Sequence, residues 1–247
     1  MASAERTGEK ETAAGYEAEA ALREALFGNP VQARQRATAA LRLSTGRDVQ
    51  AGAALALALA GDRAWAEALS DDLAKRFPEA TFVQFNYLPT IHAQLRLNRN
   101  DPAKAIESLE AAAPYELGAH HTGAFPPAMY PVYVRGQAYL AMHQGDEAAA
   151  QFQKILDHPG IVLNEPIGAL AHLGLGRAYA LEAGIPGSAG VPPATRKQES
   201  AGKMPAFPGD ALARARKAYQ DFFALWKDAD PDIPILKQAQ REYAELK

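Results

Sequence analysis

The chain has no cysteine among its 247 residues, which excludes disulfides, thiolate metal sites and cysteine nucleophiles. Aromatic residues make up only 8% while hydrophobic residues reach 48%. Much of that apolar content is alanine, which suits closely packed helices better than a core of large rings. Long apolar runs are missing too: the most apolar stretch, Ala51 to Ala60, is about ten residues, against the roughly twenty that span a bilayer. Neither sign of charge dominates, since 26 basic and 29 acidic residues leave a net charge of −3. The basic balance of a nucleic-acid-binding domain is therefore absent. Met1 to Gly15 is polar and mixed in charge, without the apolar centre of a signal peptide. These absences lead to the expectation of a soluble, cytoplasmic chain with no membrane span and no nucleic-acid partner.

What is present is helical periodicity. After a tail at 1–15, read as flexible, apolar residues recur three and four apart almost to the end. The breaks carry stop signals: Gly28-Asn29-Pro30, Gly61-Asp62, Phe77-Pro78, Asn100-Asp101-Pro102, Gly145-Asp146 and His158-Pro159-Gly160. Cutting there predicts helices over 16–27, 30–44, 47–60, 63–76, 80–98, 102–113, 129–143, 146–157, 166–183, 210–227 and 232–246. Pro89 should kink or split the fifth. The expected fold is thus all-α, a solenoid of about five helical hairpins plus a closing helix, filling 16–247. Two breaks are longer. Pro114 to Ala128 reads as a loop, and 184–208, rich in Gly, Pro and Ala, reads as a disordered insertion.

The clearest repeat unit is Tyr130 to Pro159. Gly136 and Tyr139 fall on its first helix, Ala148 and Phe152 on its second, with Gly145-Asp146 between them as turn and N-cap. The small residues let the two helices approach, and the aromatics fill the space between hairpins. The next unit repeats the scheme with Gly176 and Tyr179, then Ala215 and Tyr219, its turn stretched by the insertion. Growing a loop from about three to about 25 residues costs only about 2 kcal/mol in closure entropy, so the hairpin is expected to survive. Ala66 and Pro78 fit a weaker unit; Ala105, Leu109 and Ala112 fit another. This order of small residue, aromatic, alanine and aromatic resembles the tetratricopeptide repeat.

Longer blocks resemble a narrower group. Phe152-Gln153-Lys154-Ile155-Leu156-Asp157-His158-Pro159-Gly160 within Glu147 to Leu181, Trp226-Lys227-Asp228-Ala229-Asp230-Pro231 within Ala218 to Leu246, and Phe27-Gly28-Asn29 within Ala21 to Asp62 are similar to the C-terminal tetratricopeptide region of bacterial eukaryotic-like serine/threonine kinases. The resemblance implies a repeat module associated with such a kinase, regulatory or sensory in role. The kinase domain itself is not in this sequence. It has no Gly-rich loop before a lysine, no His-Arg-Asp loop and no Asp-Phe-Gly triplet, so phosphotransfer does not carry over.

Other chemistry finds little support. The histidines, 92, 120, 121, 143, 158 and 172, form no His-Glu-x-x-His pattern, and His120-His121 reads as a solvated loop pair. Asp228, Asp230 and Asp232 alternate as in a calcium loop, yet Ile233 takes the glycine position and Ala239 the closing glutamate position. They read as a helix boundary, with Asp232 near an N-cap. Gly202-Lys203 lacks the rest of a phosphate loop, and Ser188 misses the spacing of a nucleophile elbow. Trp65 and Trp226 read as core. No catalytic, metal or cofactor site is expected, and the chain reads as a non-catalytic scaffold for a protein or peptide partner. In a repeat array the first helix of each hairpin lines a groove. That register selects Tyr87, Gln94, Asn98, Tyr130, Tyr133, Gln137 and Arg177 as groove residues. Packing of Tyr130 and Tyr133 under the loop at 114–128 is the alternative.

Overall fold

A computed structural model describes residues 9–118, 129–185 and 208–246. Among them all regular structure is helical, and no strand occurs. Contacts divide the chain into two compact units, Met1–Val134 and Arg135–Lys247.

The first unit contains α1 (Lys10–Leu26), α2 (Pro30–Leu43), α3 (Arg47–Leu59), α4 (Arg63–Arg76), a π-helical turn (Val83–Tyr87), α5 (Leu88–Leu97), α6 (Pro102–Ser108) and a 3-10 turn (Glu110–Ala112). Helices adjacent in sequence pack as pairs: α1 with α2, α3 with α4, α5 with α6. Alanine makes these approaches close. Ala14, Ala18 and Ala40 pack with Val49 in one cluster, each at most 2% exposed. Every residue of α3 from Val49 to Ala58 is buried, the signature of a helix enclosed on all sides. Pro30 and Pro102 open their helices, where a missing N–H costs nothing. Gly28 (φ 87°) and Gly61 (φ 83°) end α1 and α3 in the left-handed region, which glycine enters without a Cβ clash.

The boundary between units falls inside α7 (Tyr130–Ala141). There follow α8 (Gly145–Leu156), the single turn α9 (Pro159–Val162), α10 (Pro166–Glu182), α11 (Pro208–Leu225) and α12 (Pro234–Ala244). Within the second unit α8 packs on α10, and α10 on α11. The fully buried Phe152 ring of α8 lies between two glycines. A Cβ on Gly136 would sit 2.8 Å from it, and one on Gly174 of α10 2.6 Å. Tyr219 of α11 lies against Gly176 in the same way, 2.7 Å from where a Cβ would stand. Each ring fills the space left by an absent side chain.

Several expectations need correction. The chain turns helical at Lys10, not 16, and Ala13, Ala14 and Gly15 are buried, so the tail expected over 1–15 is at least partly structured; residues 1–8 lie outside the described residues. The interruption expected at Pro89 takes the form of a π turn just before it. The ring cannot tolerate an α-helical carbonyl one turn back, and the wider π turn at Val83–Tyr87 directly precedes it. The helix expected over 102–113 gives way to a 3-10 turn after Ser108. In the Tyr130–Pro159 unit, His143 takes the left-handed conformation (φ 58°) and Gln144 is the N-cap. Gly145 serves packing instead, since a Cβ there would meet the Ala178 carbonyl oxygen at 2.8 Å. The insertion expected at 184–208 and the loop at 114–128 fall largely outside the described residues, although α10 and α11 on either side of the insertion do pack as a hairpin.

Candidate functional site

The seven expected groove positions are mostly not open to a partner. Tyr87 is 2% exposed, and its hydroxyl donates to Asp48 Oδ1 at 2.9 Å. Burial, followed by the neighbouring carboxylate, pushes this phenol above its usual range. Asp48 also accepts from Arg47 Nε at 2.7 Å. Gln94 is buried and donates to Asn98 Oδ1 at 3.0 Å. Asn98, half-buried, donates in turn to the Ala58 carbonyl at 2.6 Å, supplying a donor to one of the last-turn carbonyls of α3. Tyr130 and Tyr133 are buried, and Gln137 is half-buried. Arg177 is buried in an ion pair with Glu242, Nε to Oε2 at 3.0 Å and Nη2 to Oε1 at 3.0 Å. The repeat register thus finds the inner sides of these helices, but the chain itself covers them.

Tyr87 and Tyr130 do meet at one place. With Ala51, Leu55, Asn86, Thr90 and Ile91 they line a small, largely apolar cavity. Its free space is water-sized, far below the roughly 300 Å³ of a small-molecule site. It is a packing gap, not a ligand pocket.

The open apolar surface lies elsewhere. Phe85 and Tyr115 are stacked at 4.8 Å between centroids, 39% and 37% exposed, with Leu117 44% exposed in the same loop as Tyr115. Sequence reasoning missed this pair because Phe85 owes its outward direction to the π turn, which inserts one residue into the helical register. The available signal was Pro89 following an aromatic-rich segment.

One cluster of titratable groups stands out in the second unit. The Glu182 side chain, only 8% exposed, accepts from Arg214 Nη2 at 2.9 Å, and Arg214 lies 4.3 Å over the Tyr179 ring. Burial raises the Glu182 pKa, the Asp146 carboxylate raises it further, and Arg214 opposes both. A carboxyl whose pKa is higher folded than unfolded holds its proton more tightly in the folded state. Its contribution to stability is therefore greatest at low pH and is lost as pH rises through the raised value. Glu182→Gln should flatten that segment of the stability–pH curve, which urea titrations at successive pH values would show as a smaller decline above the normal carboxylate range.

The remaining polar candidates have structural partners. His158 Nδ1 lies 2.8 Å from the Lys154 carbonyl; partial desolvation lowers the pKa of the half-buried His172 and of His92, although the His92 side chain remains exposed. The Asp230 carboxylate accepts from the Asp232 N–H at 2.8 Å, and Asp232 accepts from Lys237 Nζ at 2.6 Å. Lys237 lowers the Asp232 pKa, and Ile233, the next residue, is the N-cap of α12, so Asp232 lies at the helix boundary as expected. Trp65 and Trp226 are half-buried, not core; Trp226 packs on Phe222 at 4.9 Å. His120, His121, Ser188 and Gly202-Lys203 lie outside the described residues. Among the described residues no group of three or more acidic or histidine side chains is placed to hold a metal. No helix among them is long and apolar enough to cross a membrane. No protein-family model, curated protein or solved structure matches the chain.

Proposed function

We propose that this chain is a non-catalytic, tetratricopeptide-like scaffold that binds a protein or peptide partner. The observation that supports the repeat type most directly is the pairing of second-helix aromatics with first-helix glycines, Phe152 with Gly136 and Gly174, and Tyr219 with Gly176. Gly136, Gly176, Phe152 and Tyr219 are small and aromatic positions of the repeat pattern, and Gly174 lies two residues before one of them. Stacked hairpins of this kind present surface for recognition, not a reaction centre. The exposed Phe85–Tyr115 pair fits the use, because solvent-facing aromatics of this sort tend to anchor interfaces.

The experiment is capture from the native cell with wild-type protein and with Phe85→Ala/Tyr115→Ala. Both side chains are more than a third exposed, so the double variant should fold normally by circular dichroism. A specific partner should be held by wild type and weakened at least tenfold by the variant, each truncated anchor contributing on the order of 1 kcal/mol or more. Equal capture by both proteins would remove this surface from the interface.

A second reading, a regulatory or sensor module associated with a bacterial serine/threonine kinase, is favoured by the sequence blocks around Phe152 to Gly160 and Trp226 to Pro231. A kinase domain encoded in frame and upstream would support it.

A further inference from the structure

We propose that the α10–α11 face is a docking site for an amphipathic helix bearing a glutamate, and that α12 is its resident ligand, which a partner helix displaces. The inference rests on the scaffold reading for its biological sense but stands on its own geometry. Arg177 belongs to α10, a helix that the repeat register places along the groove. It grips the Glu242 carboxylate through two parallel bonds of 3.0 Å, with both side chains less than a tenth exposed. Tyr219 of α11 donates to the same carboxylate, hydroxyl to Oε2 at 3.0 Å. A bidentate guanidinium backed by a phenol, in a water-poor setting, is a strong and directional receptor for one carboxylate.

The rest of α12 engages in the manner of a bound helix. Its apolar contacts are the buried Leu236 and Ala239, Leu246 just beyond its end, and the half-buried Tyr243, whose ring lies 5.9 Å from that of Tyr219 and 5.6 Å from that of Phe223. Arg216 Nε holds the Leu246 carbonyl at 3.0 Å, and Gln220 donates to the Tyr243 hydroxyl at 3.0 Å. Lys237, Gln240, Arg241 and Glu245 face outward and are exposed. In the connector, Asp228, Asp230, Pro231 and Asp232 are all exposed or half-exposed, and the Asp230 and Asp232 bonds stay within the connector or reach the first turns of α12. Helix α12 can therefore leave without breaking α10 or α11. Its inward side defines what the site reads: leucine, alanine, glutamate and leucine at the spacing of Leu236, Ala239, Glu242 and Leu246. A partner helix carrying that pattern would compete for the face.

Exchange of α12 with its own sequence in trans tests this without any partner. A fluorescent peptide spanning 230–247 is titrated by anisotropy against the full wild-type chain and against Glu242→Gln. In wild type the tethered helix competes, and apparent affinity falls with the fraction of open sites. Neutralising Glu242 removes the buried charge pair that keeps the site closed. The variant should therefore bind the peptide at least tenfold more tightly than wild type, and a peptide carrying the same Gln should bind the variant at least tenfold more weakly. Hydrogen exchange should show α12 deprotected and α10 and α11 intact. Equal binding by both chains, equal binding of the two peptides, or loss of protection throughout α10 and α11 without peptide binding would overturn the proposal. If Glu242→Gln does not fold, Leu236→Ala, which weakens the tethered helix and leaves the seat on α10 and α11 intact, replaces it, with a threefold difference as the threshold. Failure of capture at Phe85–Tyr115 would leave this outcome untouched, because the peptide assay involves only α12 and its seat.

Discussion

Phe152→Ala is expected to remove about 3–5 kcal/mol of stability from the second unit. The ring has no exposed surface, and the atoms around it include two glycine positions, Gly136 and Gly174. Ordinarily, neighbouring side chains relax into part of the space that a truncation opens. Glycine has no side chain to relax, so a void between α7, α8 and α10 could shrink only by moving helix backbones. The same geometry predicts a change of sign. In wild type, Gly174→Ala would drive a Cβ to 2.6 Å from the ring, and overpacking costs about 1–3 kcal/mol, more than the ~1 kcal/mol that alanine gains over glycine in a helix. Once Phe152 is gone, that methyl enters the vacated space and the propensity gain remains. Gly174→Ala should then stabilise the Phe152→Ala protein. Urea midpoints of the two single variants and the double variant, read with hydrogen-exchange protection of α8 and α10, give the interaction energy. If the two effects simply add, the ring does not seat between these helices.

The residues of this arrangement, though not their pairing, are legible in the sequence, because the residue types at Gly136, Phe152, Gly176 and Tyr219 are informative in themselves. A helix with glycine at its centre loses stability unless something needs the room, and an aromatic at matching spacing supplies the need. Helix limits were also readable wherever proline or glycine punctuates the chain, as at Pro30, Gly61 and Pro102. The failures have definite causes. Lys10 to Gly15 looked like a tail because its charged residues and glycine hide the packing of Ala13 and Ala14. The turn after α7 was assigned to Gly145, but His143 supplies the left-handed residue while Gly145 is needed for contact with α10. Glycine's two uses, freedom of φ and absence of Cβ, look identical in a sequence.

The groove positions are covered for a different reason. Periodicity says which side of a helix faces inward; it does not say what lies against that side. Tyr87 is turned inward by the π turn and tied to Asp48, thirty-nine positions earlier. Arg177 is covered by Glu242, sixty-five positions later. Both partnerships are long-range, so no local pattern announces them. The exposed pair Phe85 and Tyr115 is the converse, since its placement depends on one inserted residue in a helix that the sequence presents as regular.

Glu242→Ala should cost about 3–5 kcal/mol, because it strands a buried guanidinium, whereas replacing both members, Arg177→Met with Glu242→Leu, should be near neutral or even stabilising. The asymmetry follows from desolvation. Arg177 and Glu242 are 7% and 8% exposed in their side chains, so each has given up most of its water; their two mutual bonds offset part of that loss, and Glu242 also accepts from Tyr219 and from Gln238 Nε2 at 2.9 Å. Removing one partner leaves the share carried by the pair unopposed. Removing both returns an apolar contact of similar volume, although the Tyr219 hydroxyl, now without its carboxylate acceptor, should cost about 1–3 kcal/mol unless water reaches it. Denaturant unfolding of the two single variants and the double variant yields the pairwise term directly. A double variant as unstable as Glu242→Ala would mean that the surrounding packing, and not the charge, sets the energy of this contact. A stable double variant carries a further consequence: α12 would remain seated while its seat no longer distinguished a glutamate-bearing helix from an apolar one. The ion pair would then be a device for selecting which helix occupies the face, bought with little or no net stability.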